Sequence, residues 1–152
     1  MNLSLVFIGS HSSSDRSKQS DALVSLYLDR IPESFAKASC IAFRTSNLLW
    51  ERLEKQSSRR RPLLVLLDSR GRQFNSEQFA EWLGKQRDQG QQTIVFAIGP
   101  ADGWSEDARK RANLLLSLGP MTLPHELARV VLSEQLYRAF TILAGHPYHT
   151  GH

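Results

Sequence analysis

The chain has 152 residues, enough for one sizeable hydrophobic core and too few for two, so a single domain over 1–152 is expected. Apolar residues make up 41% and charged residues 22%, a balance that folds as a globule and excludes a disordered chain. With 19 Lys and Arg against 15 Asp and Glu, the net charge of +4 permits a polyanionic partner such as nucleic acid without requiring one. No apolar run approaches the roughly 18 residues that read as a transmembrane helix, and no membrane partner is expected. Met1-Asn2-Leu3 has no basic n-region or cleavage pattern, and the lone Cys40 excludes an intrachain disulfide, so a reducing, cytoplasmic setting is expected.

In chain order, residues 3–9 are β-rich and end on Gly9, a first strand. Residues 11–20 read as a Ser-rich loop. Ala22, Leu23, Leu26, Tyr27 and Ile31 then recur at helical spacing, in a helix that stops before Pro32. A second strand is expected over 39–43 and a helix from Ser46 with Leu49, Trp50 and Leu53 on its apolar face. Residues 57–62, Ser-Ser-Arg-Arg-Arg-Pro, form a basic connector, either a solvated turn or an RNA-phosphate contact through Arg59, Arg60 and Arg61. The unalternating run 63–68 reads as a strand covered on both faces, with 69–72 as its exit loop. A helix from Asn75-Ser76 carries Phe79, Trp82 and Leu83 and ends near Gly90. Residues 93–98 repeat the buried-strand pattern and 99–103 form its loop. Ser105 is an N-cap followed by acidic Glu106 and Asp107, 113–118 is a short strand, and 126–144 is the longest helix.

Strands alternating with helices imply an α/β domain with a mostly parallel sheet flanked by helices. In such sheets ligands sit beyond the carboxyl ends of the strands, which puts 69–72, 99–103 and 118–124 in competition for a site. The common nucleotide fingerprints and the nucleophile elbow are absent. Cys40 lies in an apolar strand and reads as a small buried hydrophobe. His146 and His149 lack a nearby Cys or acidic ligand, so no metal is expected. Around the last helix Val130, Val131, Leu132, Leu136, Phe140, Ile142 and Leu143 spread apolar surface widely, which implies burial on several sides or a second subunit. Glu126, Arg129, Ser133 and Tyr137 leave a narrow polar stripe, and Glu134 and Arg138 form an i,i+4 pair.

Met121-Thr122-Leu123-Pro124-His125 leads into Arg129-Val130-Val131-Leu132-Ser133-Glu134-Gln135-Leu136-Tyr137-Arg138-Ala139, and His146-Pro147-Tyr148-His149 closes the chain. In this combination and spacing the sequence resembles the ribosomal RNA large subunit methyltransferase H family of the SPOUT, or α/β-knot, superfamily. Leu67-Asp68-x-x-Gly71 resembles the family's central L-D-x-x-G turn. The resemblance implies an enzyme that uses S-adenosylmethionine to methylate N3 of a pseudouridine in 23S, large-subunit rRNA on the assembled ribosome. It also implies a C-terminal trefoil knot and a homodimer built around it.

The resemblance places the cofactor on Leu67, Gly99, Leu118, Gly119, Pro120, Met121, Thr122 and Leu123, in the loops that the strand-end argument selects. Adenine needs an apolar slot with a few backbone hydrogen bonds, and Gly99 would let the backbone come close. On the acceptor side His149 and Tyr148 are expected at the reacting base, with His125, Arg129, Arg138 and His146 as substrate contacts. Histidine titrates near neutral pH, so His149, His125 and His146 are all candidates for the base. His125 could equally make a structural bond, and Arg129 and Arg138 could equally be solvated or ion-paired. Where the family usually reads I-G-G-P-E-G this chain reads Ile98-Gly99-Pro100-Ala101-Asp102-Gly103, and Pro100 removes an N–H donor. That departure keeps open an alternative, a catalytically degenerate relative that binds rRNA or the ribosome without methylating.

Overall fold

Side chains that alternate between two apolar faces set the architecture. The computed structural model describes residues 1–9, 14–56 and 60–150, and the expectations for 10–13, for Arg59 in the basic connector and for 151–152 lie outside them. Strands β1 (Asn2–Ile8), β2 (Lys37–Phe43), β3 (Leu63–Gln73), β4 (Thr93–Ile98) and β5 (Leu114–Ser117) form one parallel sheet in the order β2-β1-β4-β3-β5. Leu3, Leu5, Phe7, Val65, Ile94, Phe96 and Ile98 point to one face. Val6, Ile8, Leu64, Leu66, Val95 and Ala97 point to the other. Period-two alternation thus buries both faces, which explains the runs without polar residues.

Helices α1 (Asp15–Asp29), α3 (Ser76–Asp88) and α5 (His125–Ala144) cover the first face. α2 (Ser46–Gln56) and α4 (Glu106–Arg111) cover the second through Leu49, Trp50 and Ala108. Local chemistry starts α3 and α4 where the sequence says. Asn75 and Gln78 form a capping box on α3, and Ser105 accepts from the Ala108 amide at 3.1 Å on α4; an N-cap of this kind is worth about 1 kcal/mol.

Three expectations change. α1 begins at Asp15, capped by Ser14, because the loop serines and polar residues up to Ser20 join the helix. β2 starts two residues early, at Lys37, paired with Asn2. The supposed exit loop 69–72 is extended chain: β3 runs on to Gln73, bulging so that both Leu67 and Arg72 stand opposite Leu116. Gly71 permits that bulge, since a Cβ there would lie 2.6 Å from the Leu115 backbone.

α5 lies between α1 and α3, and the chain itself covers most of its apolar surface. Leu132 and Leu136 are fully buried, each contributing roughly 1.5–3 kcal/mol. Phe140 packs edge-to-face on Phe35 at 5.0 Å. The polar stripe is also inside: Arg129, Ser133 and Tyr137 are buried. The wide apolar circumference therefore marks a largely central helix, and the large apolar side chains still exposed on and around it are Leu127 and Leu143 of α5, Met121 just before it, and Leu23 and Leu26 of the adjacent α1.

Candidate active site

The carboxyl ends of β3, β4 and β5 converge on a cavity of about 420 Å³. Its walls come from residues 67–70, 98–104, Leu116, 118–119 and 121–123, which overlap the expected segments 69–72, 99–103 and 118–124 without Gly71, Arg72, Pro120 and Pro124, together with His125 and Ala128 from the first turn of α5. Seven of the eight expected cofactor residues line it, namely Leu67, Gly99, Leu118, Gly119, Met121, Thr122 and Leu123, while Pro120 is exposed and outside the lining. Gly103 donates to the Pro100 carbonyl at 2.8 Å and closes the 100–103 turn. Gly119 adopts φ +130°, a region that favours glycine. The Ser117 hydroxyl clamps that turn by accepting from the Gly119 amide and donating to its carbonyl.

Trp104, which the sequence reading passed over, forms part of the wall. Its indole N–H donates to the Leu67 carbonyl at 3.1 Å. A Cβ on Gly99 would lie 2.8 Å from the same ring, so this glycine is in close contact with protein, where close approach to a ligand was expected. Below it Asp68 holds two cations: Arg109 at 3.1 Å and Arg70 at 3.6 Å. The first amides of any helix lack intrahelical partners, and Pro124 supplies no side-chain cap for those of α5, whose first turn lines the cavity through His125 and Ala128.

A second cavity of about 470 Å³ shares Leu116, Leu118 and Gly119 with the first. Gln73, Phe74, Glu77, Gln135, Arg138 and His149 are among its walls. Here the C-terminal 3-10 turn Pro147–His149 docks on α3 and α5. The Glu134 carboxylate accepts from Arg138 Nε at 2.9 Å and from the Tyr148 hydroxyl at 3.1 Å. His149 Nδ1 lies 2.8 Å from Arg138 Nη1, and its Nε2 lies 2.8 Å from Glu77 Oε1. Arginine can only donate, so Nδ1 accepts and Nε2 carries the proton given to Glu77.

That bond from His149 holds the Glu77 carboxyl below its ordinary range. Burial, then the bond to Glu134, pushes the Tyr148 phenol up, and the bond to Glu134 raises Arg138 further. The Arg138 guanidinium covers one face of the Tyr148 ring at 5.0 Å. His146 is exposed and its Nδ1 accepts from the Tyr148 amide. Burial pushes the Cys40 thiol up to about 11; the side chain is half-buried, packed against the core.

The structure thus gathers Tyr148, His149 and Arg138, places His125 at the neighbouring cavity, and removes Arg129 from the group. Arg129 is buried, paired with Asp21 at 3.0 Å and stacked over Phe7 at 4.1 Å, so it serves the fold and has no open face for a phosphate. Glu77 and Gln135 join the cluster unforeseen. Glu77 stands 72 positions before His149, and nothing local signals that pairing.

A family profile described as Predicted SPOUT methyltransferase matches residues 1–149. The chain is 48% identical over 154 residues to the ribosomal RNA large subunit methyltransferase H of Koribacter versatilis, covering 100% of both. It is 43% identical over 140 residues to the protein of the same name from Allorhizobium ampelinum, covering 84% of this chain and 88% of that one. Among solved structures it is similar to a probable methylase family protein from Haemophilus influenzae, with TM-score 0.55, 12% identity, and coverage of 99% of this chain and 70% of that one. It is also similar to the SpoU methyltransferase AviRb from Streptomyces viridochromogenes, solved with AdoMet, with TM-score 0.50 and 10% identity; the match covers 94% of this chain and 58% of AviRb. The parallel sheet, the converging loops at β3, β4 and β5 and the full-length identity agree, and the chain belongs to the SPOUT methyltransferases and, within them, to the ribosomal RNA large subunit methyltransferase H family.

Proposed function

We propose that this chain methylates large-subunit rRNA, at N3 of a pseudouridine on the assembled ribosome in the cytoplasm, with S-adenosylmethionine as donor. The observation that carries the reading is the adjacency of two cavities across the Leu118–Gly119 turn, one built from the strand-end loops and the other lined by Arg138 and His149, with Tyr148 bonded to Glu134 outside its lining. The first fits the donor: Leu67, Leu116, Leu118 and Leu123 offer apolar walls for a purine, and the uncapped start of α5 offers amide donors for a carboxylate. When bound, S-adenosylmethionine supplies an electrophilic methyl group for in-line displacement.

The chain's own residues hold and align the reactants. Leu118 and Gly119 form the partition between donor and acceptor sides. Arg138 and the tail present cationic and aromatic groups to a nucleotide, and the net charge of +4 makes placed groups matter more than bulk attraction. The reading includes a homodimer, supported by exposed Met121 and Leu127 beside the donor cavity, and the threaded knot that the family resemblance implies.

Mass spectrometry of rRNA from a deletion strain tests the reading. One methyl group should vanish from the large subunit and return on complementation; an unchanged methylation pattern refutes it. Calorimetry with S-adenosylmethionine separates the non-catalytic alternative, for which Pro100 is the motive.

A further inference from the structure

We propose that Trp104 is a positioning residue of the donor cavity, and that its indole, rather than the cofactor, imposes glycine at position 99. The inference rests on the donor-site reading above. Gly99 is not among the glycines with positive φ, so its φ does not by itself require glycine. What forbids a side chain is the space. A Cβ at 99 would lie 2.8 Å from Trp104 Cε2, 2.9 Å from Nε1 and 3.0 Å from Cδ2. Such distances demand that the ring move.

The ring is poorly placed to move. Trp104 is 8% exposed and packs on Trp50 with centroids 5.8 Å apart. Its backbone directly precedes Ser105, the N-cap of α4. Its N–H holds the Leu67 carbonyl, and the Leu67–Ile98 pair is the last rung between β3 and β4. Beyond that rung β4 ends, and its loop parts from β3, which continues along β5, with the cavity between them. The indole bridges the divergence, bonded to the end of β3 and pressed against the residue that follows β4. It therefore fixes how far apart the two walls stand.

A methyl group at 99 would push against Nε1, the atom that makes the bridge. Moving the ring breaks the bond to Leu67 and lets the walls part, so cofactor affinity falls without any clash with the cofactor itself. The consequence is a specific coupling between two residues. Shrinking Trp104 makes room for a side chain at 99.

The test is a four-variant cycle read by calorimetry with S-adenosylmethionine: wild type, Gly99→Ala, Trp104→Leu, and both together. Overpacking of this severity is expected to weaken binding by about tenfold in Gly99→Ala. Trp104→Leu alone should bind more weakly than wild type, and adding Gly99→Ala to it should cost nothing more. An equal penalty for Gly99→Ala in both backgrounds would show that the cofactor requires the glycine, and no penalty in wild type would show that the ring yields; either overturns the proposal. Trp104→Phe keeps a ring and loses the donor. It should raise KM for S-adenosylmethionine with kcat unchanged at saturation, and an unchanged KM would remove the positioning role. If Gly99→Ala folds poorly, the same cycle is read in Tm, where the loss must also disappear in the double variant. Should wild type fail to bind S-adenosylmethionine, the donor-site reading falls, and the Tm cycle still decides the steric claim.

Discussion

Replacing Arg129 with alanine is expected to destabilise the protein by about 2–4 kcal/mol while leaving ribosome binding as it was. The side chain is 5% exposed, and its Nη1 lies 3.0 Å from Asp21 Oδ1, whose own side chain is 39% exposed. Removing one partner of a buried pair costs about 3–5 kcal/mol when the other is stranded without water. Asp21 is open enough to be hydrated, which lowers that figure. The guanidinium also stacks over Phe7 at 4.1 Å, a contact worth about 0.5–2 kcal/mol. At ~2–4 °C per kcal/mol for a domain of this size, Tm should fall by several degrees.

Arg129→Met should lose less than Arg129→Ala. It keeps the apolar stem and removes Nε, a buried atom without a hydrogen-bond partner. Urea unfolding should show a lower midpoint at constant slope for both variants, and ribosome pelleting at two salt concentrations should match wild type. A wild-type midpoint together with weaker, less salt-dependent ribosome binding would put the guanidinium on a phosphate and refute the structural assignment.

Gly71→Ala would press a Cβ onto the Leu115 backbone at 2.6 Å, and should cost at least ~1–3 kcal/mol because a backbone cannot step aside as a side chain can; an unchanged unfolding midpoint would count against the bulge. Leu127→Glu should leave the chain folded and give monomers in light scattering, whereas Leu136→Glu, at a fully buried position, should disrupt the core and report nothing about association. Glu77 has a folded pKa below its unfolded one, so its hold on the tail is present above the ordinary carboxyl range and is lost as pH falls through the lowered value. Tyr148 ring resonances in NMR should follow that acidic transition in wild type and lose it in Glu77→Gln.

What was readable in the sequence was what local chemistry determines. β4 was bounded at both ends by its apolar run, and α3 by Asn75 and the turn at Gly90. The donor loops were readable because parallel sheets place ligands at strand ends, wherever the strands lie in the sequence. The extension of β3 was hidden because 68–73 contains Asp, Ser, Arg and Gly, residues that favour turns alone and become extended only by pairing with β5. The setting of the α5 polar stripe was hidden for a related reason. The sequence leaves Arg129 open between a substrate contact, solvation and an ion pair, and the ion pair is decided only when α1 brings Asp21 across from a position 108 residues away. Trp104 carried a signal, an aromatic residue directly after a glycine-bearing loop, but its partners at 67 and 99 come together only in the folded sheet.

The same hydrogen bonds that gather the tail limit what His149 can do. Neither ring nitrogen has a free lone pair: Nδ1 accepts from Arg138, and Nε2 spends its proton on Glu77. A general base must have a lone pair within reach of the proton it takes. In this geometry His149 has no lone pair to offer, and a base role would require one of the two contacts to open first. The two contacts are unequal. Arg138 keeps Glu134 at 2.7 Å whether or not the imidazole remains, so opening the Nδ1 side strands no charge. Opening the Nε2 side frees a donor without creating an acceptor. Arrival of an anionic phosphate near Arg138 would draw the guanidinium from Nδ1 and expose the lone pair while Glu77 still holds the opposite edge of the ring. If His149 is the base of the proposed reaction, substrate binding and base activation become one event, and Arg138→Ala separates them: it should weaken ribosome binding yet leave His149 unmasked. If residual methylation by Arg138→Ala, measured at saturating ribosomes, falls as far as in His149→Ala, Arg138 does more than mask the base and this ordering of events is wrong.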